Sequence, residues 1–336
     1  MTHEILILLE TAQRWHSQGK RLVLATVVSL EGSSYRRPGV RMLIADSDEM
    51  SGAVSGGCVE KEVLHQAQSV FSKGIPKIMS YDGRYRLGCE GILYLLLEPF
   101  HVSESLTILL ERITSRISFN CVSYYSLTEG KDASLGSQFI VDSTMIPVQK
   151  NYQPSEEIQL CFEQEFPPLF QLYIFGSEHD AVALCSITSE MGWRVTIIAA
   201  PDEAKTIDFF PGAYELLTLT FSEIESYSFD SNIAIVLMSH SFNKDVQYLI
   251  ALAEVKPTYF GLLGPSKRRE QLINELLNHK PEITTDFLDQ LYGPAGINLG
   301  AENAHEISIS IIAEILSVTR NQKPSSLREK KGRIHE

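Results

Sequence analysis

After Pro167 and Pro168 the chain settles into short apolar runs separated by helical stretches: "LYIFG", "WRVTIIAA", "YELLTL", "IAIVLMS" and "TYFGLLG". Runs that are apolar throughout suit strands buried on both faces, and strands joined through helices pair in parallel. The pattern predicts a Rossmann-like α/β domain with a mostly parallel sheet over residues 166–320, followed by a polar tail at 321–336. Neither proline continues a central strand or a helix, so "EFPPLF" is read as the hinge.

Residues 1–165 have a different texture. Ile5, Leu8, Leu9, Ala12 and Trp15 recur at helical spacing until Gly19, which suits a C-terminal cap. The runs "RLVLATVVSL", "VRMLIAD", "PKIMSY", "GILYLLLEP", "FNCVSYYSL", "SQFIVDS" and "EIQLCFEQEF" read as strands, with helices near 58–73 and 102–116. Strands and helices do not alternate regularly, so this part is expected to be a mixed α+β domain. A chain of 336 residues suits two domains, and a functional cleft is expected between them.

The net charge of -13 argues against nonspecific attraction to nucleic acid or an anionic membrane, so any anion site has to be local. Five cysteines without close pairing, and no signal-peptide pattern, fit a reducing cytoplasm. No apolar run approaches the ~18 residues needed to cross a bilayer.

Strand "LYIFG" runs into "GSEHDA", close to a G-x-G-x-x-G/A dinucleotide loop, with Gly176 first and Ala181 last. Glu178 stands where bare backbone should approach a pyrophosphate, adding bulk and like charge. The second strand ends at Ala199 and Ala200 rather than at an acid for the ribose hydroxyl. Both departures argue against ordinary NAD(P) binding. The alternative they weaken is an NAD(P)-dependent oxidoreductase using His179 or His240 as proton donor. Further on, "YFGLLGPSKRREQL" ends a strand at Gly264 and opens a helix near Pro265 and Ser266. Free N–H groups and the helix dipole there meet Lys267, Arg268 and Arg269, which are either anion contacts or a solvated face.

In the first domain, "KRLVLATVVSLEGSSYRRPGVRM" is basic within an acidic chain. Ser33 and Ser34 offer donors beside Arg36, Arg37 and Arg41, a set suited to phosphate or carboxylate; a surface hairpin with solvated arginines fits as well. In "SGAVSGGCVEKEV", Ser55 is placed to cap a helix whose first turn holds Gly57 and Cys58. A cysteine there lies near the positive end of the helix dipole, which favours the thiolate, although a small buried spacer is the plainer reading. Cys89 lies between Gly88 and Gly91, and its separation from Cys58 is not that of a zinc site.

Together "GSSYRRPGVRMLI", "SGAVSGGCVEKEV" and "LGCEGILYLLLEP" resemble the amino-terminal region of the XdhC/CoxI family, the molybdenum-cofactor chaperones that serve xanthine dehydrogenase and related hydroxylases. "PPLFQLYIFGSEHDAVAL", "GWRVTII", "IAIVLMSHSFNKDVQYL", "YFGLLGPSKRRE" and "PAGINLGAENAHEISISIIAEIL" continue the resemblance in the same order, to residue 318. It implies a cytoplasmic accessory protein, with no turnover of its own, that binds the molybdenum cofactor (molybdopterin). Such a protein protects the cofactor while a terminal sulfido ligand is installed and delivers it to xanthine dehydrogenase or a related molybdenum hydroxylase. A cysteine desulfurase and a second copy of the chain, as a homodimer, are the further partners implied.

On this reading Cys58 is the thiolate beside molybdenum or its sulfur, Cys89 is a second thiol, and Gly56 and Gly57 are close backbone donors. Ser33, Ser34, Arg36, Arg37 and Arg41 meet the anionic tail. Gly176, His179, Gly264, Ser266, Lys267 and Arg268 form a cofactor-binding set in the second domain. The chain departs from the family at Glu90, Glu178 and Ala199.

Overall fold

The computed structural model describes residues 2–32, 37–85, 91–155, 160–230 and 232–330, apart from the side chains of Cys58 and Tyr85. Backbone contacts divide the chain into two compact units, Met1–Leu169 and Phe170–Glu336.

In the first unit, helix α1 (Thr2–Ser17) turns Ile5, Leu8, Leu9, Ala12 and Trp15 inward, as their spacing predicts. It stops where Gly19 adopts φ +80° and its N–H donates to the His16 carbonyl at 2.8 Å. Strands β1 (Leu22–Gly32), β2 (Arg41–Ala45) and β3 (Met50–Gly52) lead to helix α2 (Cys58–Lys73). Then come β4 (Lys77–Asp82), β5 (Gly91–Phe100), α3 (Glu104–Thr114), β6 (Phe119–Tyr125) and β7 (Gly130–Lys131). Strands β8 (Gly136–Val141), β9 (Thr144–Pro147) and β10 (Leu160–Phe166) complete the unit.

These strands form two antiparallel sheets, ordered β3-β2-β1-β5-β4-β7 and β10-β6-β8-β9. The larger sheet is covered on both faces. On one, α2 lays Val59, Val63, Ala67 and Val70 over Val23, Ala25, Met42 and Leu95. On the other, Leu22, Leu24 and Leu43 meet α1, α3 and the smaller sheet, whose Phe119 and Phe166 stack at 4.6 Å. Each such buried aliphatic side chain contributes about 1.5–3 kcal/mol of transfer free energy.

Register determines what emerges at each end of the larger sheet. Thr26 pairs with Arg41, Met42 with Gly52, and Gly32 with Gly91. The chain therefore leaves β1 at Gly32, enters β2 at Arg41, leaves β3 at Gly52 and enters β5 at Gly91, all toward one end.

The second unit is doubly wound. Strands β11 (Gln171–Phe175), β12 (Arg194–Ala199), β13 (Glu215–Thr218), β14 (Ile233–Leu237), β15 (Tyr259–Leu262) and β16 (Leu291–Tyr292) are all parallel. Their order β13-β12-β11-β14-β15-β16 is that of a Rossmann sheet. Helices α4 (His179–Glu190) and α9 (Ala304–Thr319) cover one face through Leu184, Ile311 and Ile315. Helices α5 (Phe221–Glu225), α6 (Phe242–Ala251), α7 (Ser266–His279) and α8 (Thr285–Asp289) cover the other through Ile224, Leu249, Leu276 and Phe287. The expected fold class, a mixed α+β part followed by a Rossmann-like parallel sheet, is the one observed. Among the described residues no helix is long and apolar enough to cross a membrane.

Candidate functional site

The loop between β3 and α2 is fixed by Glu60, which is not among the candidates that the motifs single out. Glu60, itself buried, accepts the backbone N–H of Ser55 at 2.6 Å and that of Gly57 at 2.5 Å. The sequence points to Ser55 as the cap of α2; instead the N-cap is Gly57, at φ +114°, with no side-chain cap. A glutamate three residues after the cap is half of a capping box, and that spacing is legible in "GCVE". The Gly57 N–H, expected to be a donor to cargo, is thus already engaged. Gly56 and Gly57 are exposed, and a Cβ added to either would meet nothing within 4 Å among the described residues. Among the described residues nothing crowds the bare backbone there, which is what the approach of a bulky cargo requires.

The sheet register directs the ends of three motifs the same way, although at different levels: Gly52, through Met42, stands level with Ala25, seven residues along β1 from Gly32 and Gly91. Gly32 and Arg37 flank the serine-arginine stretch, Gly52 leads to the loop at Gly56 and Gly57, and Gly91 follows the Cys89 stretch; all are directed toward the same end of the larger sheet. Arg37 is exposed. Ser33, Ser34, Arg36, Cys89 and the Cys58 side chain lie outside the described residues.

Arg41 is a correction. The sequence groups it with anion contacts on a surface loop, yet it is 6% exposed and lies between the two sheets. Its guanidinium donates to the Gly39 carbonyl at 2.8 Å and to Gln164 of β10, and sits 5.3 Å from the Phe166 ring centre. Two of its nitrogens, Nε and Nη2, have no partner among the described residues. Glu98 of β5 shares this interior and accepts the Ser137 N–H at 2.9 Å, the Ser137 hydroxyl at 2.6 Å and the Gln149 amide at 3.2 Å. Burial pushes Glu98 up to about 7, although these donors and the charge of Arg41 pull the other way. The same burial raises the Cys121 thiol on β6, again against Arg41.

The strand ends of the Rossmann sheet, where such folds bind ligands, are laced with the unit's own ion pairs. Gly176, at φ +134°, is needed for packing: a Cβ there would stand 2.5 Å from the Met238 carbonyl oxygen. Glu178 is the N-cap of α4 and pairs with Lys205 at 3.3 Å. The Ser177 hydroxyl donates to Glu203, and Lys205 donates to the Ser177 carbonyl. Lys244 contacts Asp202 and Glu203, each at 2.8 Å. Burial lowers the Lys244 pKa, but those two carboxylates outweigh it and hold the ammonium charged well above its ordinary range.

His240 pairs with Asp180 at 2.8 Å. Arg268, expected to meet an anion, instead pairs with buried Asp245 at 2.7 Å, and its side chain packs where a Cβ on Gly264 would fall. Ser266, Lys267 and His179 remain exposed. Among the described residues, Lys205, Lys244 and Arg268 of this crest each have a carboxylate partner, and Arg269 donates to the carbonyls of Leu288 and Leu291. Among the described residues, no group of His, Cys, Asp or Glu is arranged to hold a metal ion.

Comparisons with known proteins give one family match in each unit. Residues 15–82 match the XdhC and CoxI family and residues 172–315 the XdhC Rossmann domain. The chain is 27% identical to a probable subunit of xanthine dehydrogenase from Bacillus subtilis (strain 168), over 89% of this chain and 93% of that one. It is 26% identical to "Molybdenum cofactor insertion chaperone PaoD" of Escherichia coli (strain K12), over 92% and 86%. Among solved structures it is similar to a xanthine dehydrogenase from Bacillus halodurans, with a TM-score of 0.78 and 28% identity, covering 95% of this chain and 96% of that one. With both family regions present in order, one in each unit, the chain belongs to the XdhC and CoxI family.

Proposed function

We propose that the protein binds the molybdenum cofactor as cargo, supports its sulfuration and hands it to xanthine dehydrogenase or a related molybdenum hydroxylase. The observation that carries this reading is that the flanks of three motifs are directed toward one end of a sheet, one of them leading to two exposed glycines that have room for a Cβ among the described residues. The names of two relatives, one belonging to xanthine dehydrogenase and the other a cofactor insertion chaperone, point the same way. In this reading Cys58 supplies a soft thiolate for molybdenum or its sulfur. Gly56 lets the cargo approach, and Ser33, Ser34, Arg36 and Arg37 hold its anionic tail. Cys89 is a second thiol, a cysteine desulfurase provides the sulfur, and the chain works as a homodimer in the cytoplasm. Arg41 has no part in tail binding, because it is buried.

The oxidoreductase reading loses ground at the Rossmann crest. Glu178 and its ion pair with Lys205 occupy the space where a pyrophosphate would need backbone N–H groups.

The test is activation of a cofactor-free client dehydrogenase by the loaded protein. The parent should restore activity, Arg37→Ala should restore less, and Cys58→Ser should fail while remaining folded. Full activation by Cys58→Ser would overturn the assignment of the thiol.

A further inference from the structure

The opposite end of the larger sheet in the first unit carries a cleft of about 390 Å³, within the roughly 300–1,000 Å³ common for small-molecule sites. It opens where α1 and α2 end, β1 begins and β5 gives way to His101. Five of its lining residues are basic, His16, Lys20, Arg21, His101 and Lys150, and none is acidic. In a chain of net charge -13 that is a local reversal of sign.

Two of the five are already engaged. Lys20 pairs with Glu49, and Arg21 pairs with Asp46 at 2.9 Å and donates to the Phe71 carbonyl at 3.0 Å. Among the described residues no carboxylate lies within ion-pair distance of His16, His101 or Lys150. His16 is in the last turn of α1, where a cation also complements the helix dipole. His101 and Lys150 adjoin no helix end. Burial lowers the His101 pKa first, and the neighbouring charges of Lys150 and His16 lower it further, so these groups feel one another. Beneath them the cleft is apolar, with Phe71, Phe100 and Val70 among its lining.

We propose that this cleft binds a phosphate monoester carried on a flat apolar body, the phosphate meeting His16, His101 and Lys150 and the ring lying toward Phe71 and Phe100. One ammonium and two imidazoles offer more donors than a single carboxylate needs and suit the several oxygens of a phosphate, and the apolar lining requires more than inorganic phosphate alone. The site is separate from the proposed cargo site: it touches the far end of α2, whose 16 residues span about 24 Å from Cys58. It stands or falls independently of the cofactor reading.

Calorimetry on the full chain at low ionic strength tests it with adenosine monophosphate, adenosine and inorganic phosphate as probes. Adenosine monophosphate should bind at least about tenfold more tightly than either of the others. Lys150→Gln and His101→Gln should each weaken it about tenfold, the scale of one charged hydrogen bond, with melting temperature unchanged. Lys150→Arg should retain binding. No heat with adenosine monophosphate, equal affinity for phosphate alone, or binding indifferent to both glutamine variants would each overturn the proposal.

Discussion

Glu60 accepts the backbone N–H of Gly57 at 2.5 Å, so the start of α2 already holds a carboxylate where a helix N-terminus would otherwise welcome an anion. That negative charge opposes the dipole that favours a thiolate at Cys58. Glu60→Gln keeps an acceptor and removes the charge, so Cys58 should react with iodoacetamide roughly two- to fivefold faster near neutral pH, the scale of a helix-dipole term. Cys121 and Cys185 are buried, and burial pushes the Cys185 thiol up to about 11, so both should stay slow. The apolar strand and helix patterns of the sequence put Cys161 with these two, but it is exposed, because its side of β10 faces away from the core; it provides an accessible reference. A Cys58 rate unchanged relative to Cys161 would reduce Glu60 to a simple cap.

Glu98 gives stability a pH dependence whose sign follows from its burial. Its folded pKa is pushed up to about 7, whereas an unfolded glutamate titrates near ~4.3. The folded state holds this proton more tightly, so the contribution of Glu98 is fully present below ~4.3, is lost as pH rises through about 7, and is flat beyond. Glu98→Gln removes that slope. In urea unfolding, the variant should gain on the parent between about pH 5 and about pH 8. Parallel curves across that interval would show that Glu98 is ionised throughout.

Two glycines should respond oppositely to alanine. At Gly176 the new methyl would fall 2.5 Å from the Met238 carbonyl oxygen at φ +134°, and strain of about 1–3 kcal/mol should appear as a lower urea midpoint. At Gly56 the methyl meets nothing within 4 Å among the described residues, so stability should change by less than ~0.5 kcal/mol while cofactor retention falls. A stable Gly176→Ala would mean that the glycine is kept for a ligand instead. The crest's ion pairs lead to a companion expectation, that neither NADH nor NADPH binds. Micromolar affinity in a fluorescence titration would restore the nucleotide reading.

Periodicity makes much of the fold legible. The inward face of α1 and the helix at 58–73 can be read because one repeat of apolar residues dominates each. The second unit is legible because its central strands β11, β14 and β15 are buried throughout and carry few polar interruptions. Arg41 misleads because its neighbours Arg36 and Arg37 suggest a solvated loop. It is nevertheless in register with Leu43 and Ala45, in a strand whose five residues are all buried. The partners at the Rossmann crest escape a reading of the sequence because Glu178, Asp202, Glu203, Lys205, Lys244 and Asp245 meet only once strands far apart in sequence pair. No local spacing encodes such a meeting. Glu60, by contrast, is available from capping chemistry alone.

The molybdenum and pterin content of the chain purified from a cofactor-producing host tests the central claim most directly. Cargo binding at Cys58 predicts molybdenum and pterin together in the parent, and loss of both from a folded Cys58→Ser variant. A parent free of both, or a serine variant that retains them in full, would contradict it.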